Sequence, residues 1–128
     1  MYGRYFRRLG MKILFVDDNE LNRMVLQDMM EILFEEISVE TYDCAQAVLD
    51  LDTSQFTLIL SDIDMPLIDG FELHDRLRNE HNFTKPIIAV TALAVSGDKE
   101  KMLMHGFNDY ISKPIDMNIL QSVIQKYI

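Results

Sequence analysis

The sequence predicts an α/β protein with one doubly wound parallel sheet of five strands and helices on both of its faces. Three observations lead to this prediction. Five short apolar runs alternate along the chain with segments that carry helical periodicity or helix-end signals. The length of 128 residues suits a single domain. A content of 48% hydrophobic and 26% charged residues is typical of globular proteins.

The first half of the domain supplies two strands and two helices. The apolar run KILFV, residues 12–16, is the first predicted strand. The apolar residues of the helix that follows recur at intervals of four, four and three positions: Leu21, Val25, Met29 and Ile32. ISVETY, residues 37–42, alternates as an edge strand does, and Asp43 and Gln46 have capping-box spacing before the second helix.

The second half supplies three strands, each followed by a helix. The strands are FTLILS, KPIIAVT and DYIS, and Pro86 lies at the start of the second, where a missing N–H donor is tolerated. GFELHDRLRNE is a helix entered through Gly70, and SGDKEKMLMHG is a helix with Ser96 near its start and Gly106 as its stop. The last helix places four apolar residues on one face: Leu120, Val123, Ile124 and Tyr127.

Strict alternation of strands and helices implies βαβ units, which require a parallel sheet covered on both faces. Right-handed crossovers then leave few arrangements. At this size the flavodoxin-like strand order 2-1-3-4-5 is the natural one.

Composition excludes several classes of function. The formal net charge of -9 argues against direct binding of nucleic acid, which requires a basic face. The apolar runs are far shorter than the roughly 20 residues of a membrane span, and no signal peptide is visible. The single cysteine, Cys44, rules out an internal disulfide framework and fits a reducing cytoplasm.

The first ten residues, MYGRYFRRLG, differ in kind from the rest, because they hold three arginines and no acid. We interpret residues 1–10 as a basic extension: a linker, a tag remnant or a mis-called start. The alternative is a basic arm that docks on an acidic surface. Met11, directly before KILFV, resembles a natural start, so we predict that the domain covers residues 11–128.

Polar and charged residues follow four of the five predicted strands. Asp17 and Asp18 follow the first strand, Asp62 ends the third, Thr91 ends the fourth and Lys113 follows the fifth. Ligands of open parallel sheets bind beyond the carboxyl ends of the strands, so these residues are expected to meet in one crevice.

Carboxylates gathered in this way require a cation. Two unit charges about 4 Å apart repel by about 4 kcal/mol at an effective dielectric near 20. Mg²⁺ prefers a few carboxylates, water and a phosphate, and therefore fits best. Together with the ammonium of Lys113 and the hydroxyl of Thr91, the set predicts phosphoryl transfer onto a carboxylate. Taken singly, each residue has a structural explanation, such as a helix cap or a solvated turn.

Four ordered motifs resemble the receiver domain of bacterial two-component response regulators, of the chemotaxis-regulator-like superfamily. ILFVDDNELNR is similar to the acidic-pair start of that family. LILSDIDMPLIDGFEL resembles its phosphoacceptor segment, with the pattern D-x-x-M-P-x-x-D-G intact from Asp62 to Gly70. PIIAVTALA and DYISKPI resemble its switch-hydroxyl strand and its aromatic and lysine strand. The resemblance covers essentially all of residues 11–128.

The resemblance implies a site as well as a fold. Asp62 would accept a phosphoryl group from a phosphohistidine, and Asp17, Asp18, Asp62 and the main-chain carbonyl of Asp64 would hold Mg²⁺. Lys113 would contact the phosphoryl group. We also hypothesise that the Asp64 carboxylate tunes the lifetime of the aspartyl phosphate.

The resemblance further implies a switch. Thr91 would move to hydrogen-bond the phosphoryl group, and Tyr110 would turn inward with it. Leu93 would partly shield the phosphate from water, and the Lys113–Pro114 bond would be cis. The phosphodonor, a histidine kinase or a histidine phosphotransfer protein, would dock near a small set of residues beside the crevice: Leu21, Asn22 and Ile115.

The expected function is that of a cytoplasmic phosphoacceptor and not an enzyme, since the chain would catalyse only its own phosphorylation and slow dephosphorylation. A stand-alone regulator acting on an unidentified downstream protein is favoured by Met11 as a start. The alternative is a receiver fragment of a hybrid sensor histidine kinase. Phosphorylation-dependent dimerisation is left open.

Three other functions share the fold or a motif with this chain. A haloacid-dehalogenase-type phosphatase has a D-x-D motif after a strand, as LILSDIDMP does. That family favours Thr at the position where this chain has Pro66. A flavin-binding flavodoxin needs a hydroxyl- and Gly-rich phosphate loop after strand one, where this chain has DDNE. A receiver that has lost phosphorylation is the third, and the intact site argues against it.

Overall fold

The computed structural model describes residues 8–92 and 98–128. The strands are β1 Lys12–Val16, β2 Ser38–Tyr42, β3 Leu58–Asp62, β4 Ile87–Thr91 and β5 Asp109–Ser112. The helices are α1 Glu20–Leu33, α2 Ala45–Leu49, α3 Gly70–Asn79, α4 Asp98–His105 and α5 Met117–Tyr127, with one 3₁₀ turn at Thr53–Gln55. The expectations for Leu93 and Ser96 lie outside the described residues.

The five strands form one parallel sheet in the order β2-β1-β3-β4-β5, which confirms the predicted topology. The register aligns the carboxyl ends of the inner strands. Val16 pairs with Ser61, and Asp62 pairs with Val90. Residues that follow β1, β3 and β4 therefore emerge side by side at one edge of the sheet.

The core consists of two apolar layers, one on each face of the sheet. Successive residues of β1 alternate between them: Leu14 and Val16 contact one layer, and Ile13 and Phe15 contact the other. Helices α2, α3 and α4 cover the first layer, and helices α1 and α5 cover the second. Two-sided burial explains why β3 and β4 are buried at every position.

Helix α1 buries a different face from the one the sequence pattern predicts. Leu21 and Ile32, both in the predicted apolar stripe, are 66% and 73% exposed, whereas Leu26 and Met30 are fully buried. The helix carries two neighbouring apolar lines, and periodicity alone does not tell which one meets the sheet. An exposed apolar line is left on the outside of α1.

Two local expectations have opposite outcomes. The capping box at α2 is wrong: the N-cap residue is Cys44, which makes no side-chain capping bond, and the Gln46 amide donates to Asp50 instead. The stop at Gly106 is confirmed, because α4 ends at His105 and Gly106 has a φ of 122°. No helix within residues 8–92 and 98–128 has the length and apolar character needed to cross a membrane.

Candidate functional site

The first acidic pair lies in the turn between β1 and α1. Asp17 is fully buried and Asp18 is exposed. Asn19 is the N-cap of α1, and its own N–H donates to Oδ1 of Asp17 over 2.9 Å. The first turns of α1 supply two more donors: the Asn22 amide lies 3.3 Å from Oδ2 of Asp17, and the Arg23 guanidinium lies 2.7 Å from its carbonyl oxygen. The turn thus holds the Asp17 carboxylate in one orientation.

Asp62 is the last residue of β3 and is 3% exposed. The N–H of Ile63 donates to its Oδ1 over 2.8 Å. The loop then folds back so closely that a Cβ on Gly70 would lie 2.3 Å from the Asp62 carbonyl oxygen. Only glycine fits at position 70, which explains the residue at the entrance of α3.

Lys113 follows β5 and connects the two buried acids. Its ammonium Nζ lies 2.8 Å from Oδ2 of Asp17 and 3.1 Å from Oδ1 of Asp62. Its backbone N–H donates to the carbonyl oxygen of Thr91 over 2.9 Å, which fixes the loop beside the end of β4. The Lys113–Pro114 peptide bond is cis, as the resemblance implied.

Three carboxylates of the site converge. One oxygen each of Asp17, Asp18 and Asp62 can be chosen so that all three lie within 4.8 Å of one another. Lys113 offsets one of the three negative charges, so the set keeps an excess of two. Hard oxygen ligands with this excess suit a divalent cation such as Mg²⁺. Asp64 is exposed two residues beyond Asp62, and the ligand role of its carbonyl stays a prediction.

The electrostatics of Asp62 follow from its surroundings. Burial, and next the negative charge of Asp17, raise the pKa of Asp62 from 3.8 to about 6, although Lys113 and the N–H of Ile63 act in the opposite direction. For Lys113, burial favours the neutral amine, but hydrogen bonds to Asp17 and Asp62 outweigh it and raise the pKa of the ammonium. Without a bound metal ion, the ionised carboxylate of Asp62 therefore destabilises the fold.

The two predicted switch residues flank the site. Thr91 is buried at the end of β4, where it pairs with Ser112 of β5. Tyr110 of β5 is partly buried against the core layer under α2, α3 and α4, and the ammonium of Lys99 lies 5.6 Å from its ring centroid. The structure thus places Tyr110 near α4 and Thr91 beside Lys113, and their switching role stays a prediction.

Two supporting residues were not assigned to the site from the sequence. The sequence predicts Asn22 only as part of a docking surface, and it assigns no role to Arg23. Both lie within the first turns of α1, directly after the acidic pair. The sequence did contain a signal for them. Side chains in a helix tilt toward its N-terminus, so the first turns of a helix that begins at Glu20 can reach the preceding loop.

The fold and the site together define a class: doubly wound α/β proteins with an acidic crevice at the carboxyl ends of the strands. Comparison with known proteins identifies the family. The family model "Response regulator receiver domain" matches residues 13–125. The chain belongs to this family and is a receiver domain of the two-component phosphorelay type.

Two curated relatives are histidine kinases that are much longer than this chain. The signal transduction histidine-protein kinase BarA of Escherichia coli K12 is 37% identical over 122 residues, which cover 94% of this chain and 13% of the kinase. The sensor histidine kinase RcsC of Salmonella typhimurium is 32% identical over 117 residues, which cover 91% of this chain and 12% of the kinase. The chain therefore corresponds to a small part of each relative.

Solved structures of receiver domains are also similar to this chain. The receiver domain of sensor histidine kinase PA1611 from Pseudomonas aeruginosa, with a magnesium ion coordinated in its active site cleft, is 35% identical. It matches with a TM-score of 0.78 over 92% of this chain and 97% of that one. A co-crystal structure of the Saccharomyces cerevisiae phosphotransfer protein Ypd1 with the receiver domain of Ssk1 also matches, at 25% identity and a TM-score of 0.81, over 93% of this chain and 89% of that chain.

Proposed function

We propose that Asp62 accepts a phosphoryl group from a phosphohistidine. The observation that carries the proposal is the position of Lys113, whose ammonium contacts Asp17 and Asp62 within a converging set of three carboxylates. A carboxylate nucleophile, a cationic partner and oxygen ligands for a divalent ion are the components that this transfer requires.

Asp17, Asp18 and Asp62 fit Mg²⁺, with the carbonyl of Asp64 as a further ligand. When bound, Mg²⁺ would supply positive charge between the carboxylates and the incoming phosphoryl oxygens. The magnesium ion in the cleft of the PA1611 receiver domain supports this assignment. Asp17 is oriented for it by the N–H of Asn19 and the amide of Asn22.

The transfer forms one bond and breaks another. A carboxylate oxygen of Asp62 bonds to phosphorus, the P–N bond of the phosphohistidine breaks, and its electron pair remains on the imidazole nitrogen. Lys113 keeps its charge and contacts a phosphoryl oxygen. The hydroxyl of Thr91 donates a hydrogen bond to another, which requires that it rearrange at the end of β4.

The added charge becomes a signal only if two states of the domain contact the phosphoryl group differently. Thr91 and Tyr110 are the proposed moving residues. Tyr110 lies next to α4, on which Leu103 and Met104 are 41% and 88% exposed. A change in α4 would therefore alter an apolar surface available to a partner.

The domain architecture is proposed from the relatives. Their identity as long histidine kinases supports a receiver segment of a hybrid sensor kinase better than the stand-alone regulator that the sequence favoured. The phosphodonor would be a histidine kinase or a histidine phosphotransfer protein, as the Ypd1–Ssk1 complex suggests by analogy. It would dock on the exposed side of α1 at Leu21, beside Asn22 and Ile115.

The chain would act as a stoichiometric phosphoacceptor in the cytoplasm and not as an enzyme with a separate substrate.

Incubation with acetyl phosphate and Mg²⁺ should add the mass of one phosphoryl group to the intact chain. Asp62→Asn should abolish the addition, and Asp69→Asn, in the same loop, should not. If the wild-type mass stays unchanged and beryllofluoride forms no adduct, the proposal is wrong. Sustained release of phosphate from a small phosphoester would instead support the dehalogenase-type alternative.

A further inference from the structure

A second group of metal-ligating side chains lies away from the acidic crevice, between α3 and α4. His74 and Asp75 are consecutive residues of α3, and His105 is the last residue of α4. One ligand atom from each can be chosen so that all three lie within 4.8 Å of one another. The residues of the two helices are 30 positions apart, so the fold and not the local sequence brings them together.

The contacts converge on a single carboxylate oxygen. Oδ1 of Asp75 lies 3.0 Å from Nδ1 of His74 and 2.9 Å from Nε2 of His105. Two ligands of a tetrahedral Zn²⁺ lie about 3.3 Å apart, given metal–ligand bonds of about 2.0–2.1 Å. The two distances to Asp75 thus lie within a few tenths of an ångström of ligand spacing, and the two imidazole nitrogens lie within 4.8 Å of each other.

The His74 ring is held in place by its neighbours. Its side chain is 6% exposed, and its ring centroid lies 4.7 Å from that of Phe107. Gly106 provides the space on the other side, because a Cβ at this position would lie 3.0–3.2 Å from two atoms of the ring. Among the described residues, Nε2 of His74 is buried without a hydrogen-bond partner, so Nδ1 is the polar atom that the ring presents. A fixed imidazole is a preorganised ligand.

The other two ligands keep the group accessible. The side chain of Asp75 is 52% exposed, and that of His105 is 28% exposed. A metal ion can therefore enter from solvent and retain water as a further ligand. The buried His74 provides a rigid base for the group, and Asp75 and His105 form its open side.

We propose that His74, Asp75 and His105 form a second metal site, selective for Zn²⁺ and similar borderline divalent ions. Two imidazoles and a carboxylate are the donor set that such ions prefer. The crevice at Asp62 offers only oxygen donors, which suit Mg²⁺. The two sites therefore differ in chemistry as well as in position, and the second one does not depend on phosphorylation.

Metal binding has a defined consequence for His74. Because the Asp75 carboxylate only accepts, Nδ1 of His74 and Nε2 of His105 each donate a proton to it in the metal-free form. On metal binding the proton of His74 passes to Nε2, on the side of the ring that packs against Gly106, and the proton of His105 passes to its Nδ1. No other atom is gained or lost by either ring. The bound ion also joins α3 to the carboxyl end of α4, so it restrains the helix that lies beside Tyr110.

Titration of the full chain with ZnCl₂ in excess MgCl₂ tests the site. Calorimetry should show a Zn²⁺-binding event that His105→Gln and Asp75→Asn each weaken by about 100-fold or more, since even losing a supporting partner of a ligand costs about 10–100-fold. His81→Gln is the matched histidine control, because His81 bonds Thr53 elsewhere in the fold. Cys44→Ser controls for the exposed thiol. Both controls should bind Zn²⁺ as the wild type does.

The aspartate crevice requires its own control, because it can also take Zn²⁺. Asp18→Asn should leave the His105-dependent event in place. NMR of the imidazole nitrogens gives a readout that does not depend on stability: Zn²⁺ should move the proton of His74 from Nδ1 to Nε2. If the wild type shows no His105-dependent binding, or if the His74 nitrogens do not respond to Zn²⁺, the three residues are only a hydrogen-bonded link between helices and the proposal is wrong.

Discussion

The ammonium of Lys113 lies 3.1 Å from Oδ1 of Asp62, although the two residues reach the site from different strands of the sheet. The same ammonium also serves Asp17, at 2.8 Å. One positive charge therefore compensates two buried carboxylates only in part. Burial, and next the negative charge of Asp17, raise the pKa of Asp62 to about 6 despite this ammonium.

Metal-free protein should lose stability as Asp62 ionises. The pKa of Asp62 is 3.8 in the unfolded chain and about 6 in the fold, so the fold favours the protonated acid. Its contribution is complete below pH 4 and is lost as the pH rises through 6. The loss should reach about 3 kcal/mol, at about 1.4 kcal/mol for each pKa unit. Urea unfolding in EDTA between pH 4 and 7.5 measures it.

Asp62→Asn provides the reference for this measurement, because its amide does not titrate. The variant should be more stable than the wild type in EDTA at pH 7, and the two should converge near pH 4. Excess MgCl₂ should reduce the difference at pH 7. Parallel stability curves across this pH range would show that Asp62 is not destabilised in the fold.

Removing the ammonium of Lys113 should destabilise the protein, whereas removing the charge of Asp62 should stabilise it. Lys113→Met leaves Asp17 and Asp62 buried beside each other, and breaking a buried ion pair typically costs about 3–5 kcal/mol. We expect a loss of this order in EDTA at pH 7.5, with a larger recovery on addition of MgCl₂ than the wild type shows. Lys126→Met is the control, because its 3.5 Å contact with Asp109 is on the surface and should contribute less than about 1 kcal/mol. Equal effects of the two substitutions would contradict the prediction.

The convergence of Asp17, Asp62, Thr91 and Lys113 could be predicted from the sequence because parallel strands place their carboxyl ends at one edge of the sheet. The position of each residue along its strand was enough to predict that they meet. The buried face of α1 could not be predicted, since two apolar lines compete and only the tertiary packing selects Leu26.

The group formed by His74, Asp75 and His105 was missed for a related reason. Adjacent residues on a helix do not normally face each other, so the 3.0 Å contact between His74 and Asp75 was not expected from their spacing. His105 joins them through the packing of α4 against the same core layer as α3. Contacts of this kind depend on tertiary distances, and a single sequence contains no local signal for them.

Asp64 is predicted to shorten the lifetime of the aspartyl phosphate. It is exposed beside the crevice, where its carboxylate can accept a proton from a water that attacks the phosphoryl group. Asp64→Asn should slow dephosphorylation by about tenfold, less than the roughly 10²–10⁴-fold typical of general-base catalysis, because only the loop positions the group. Decay of the phosphorylated chain, followed by mass spectrometry, measures the rate. Asp28→Asn, an exposed change on α1, should decay as the wild type does; so would Asp64→Asn if the hypothesis were wrong.

Gly70→Ala should disturb the fold and the phosphoacceptor loop together. The added Cβ would lie 2.3 Å from the carbonyl oxygen of Asp62 and 2.7 Å from Cα of Ile63, and both neighbours are backbone atoms that cannot rotate away. Overpacking of this kind costs about 1–3 kcal/mol or more. We expect a loss of at least about 3 kcal/mol in urea unfolding, and a slower phosphorylation of Asp62 by acetyl phosphate under conditions where the variant is folded. Glu72→Ala, an exposed change in the first turn of the same helix, should stay within about 0.5 kcal/mol of the wild type. If Gly70→Ala matched that control in stability, the loop would have to lie farther from position 70 than the structure shows.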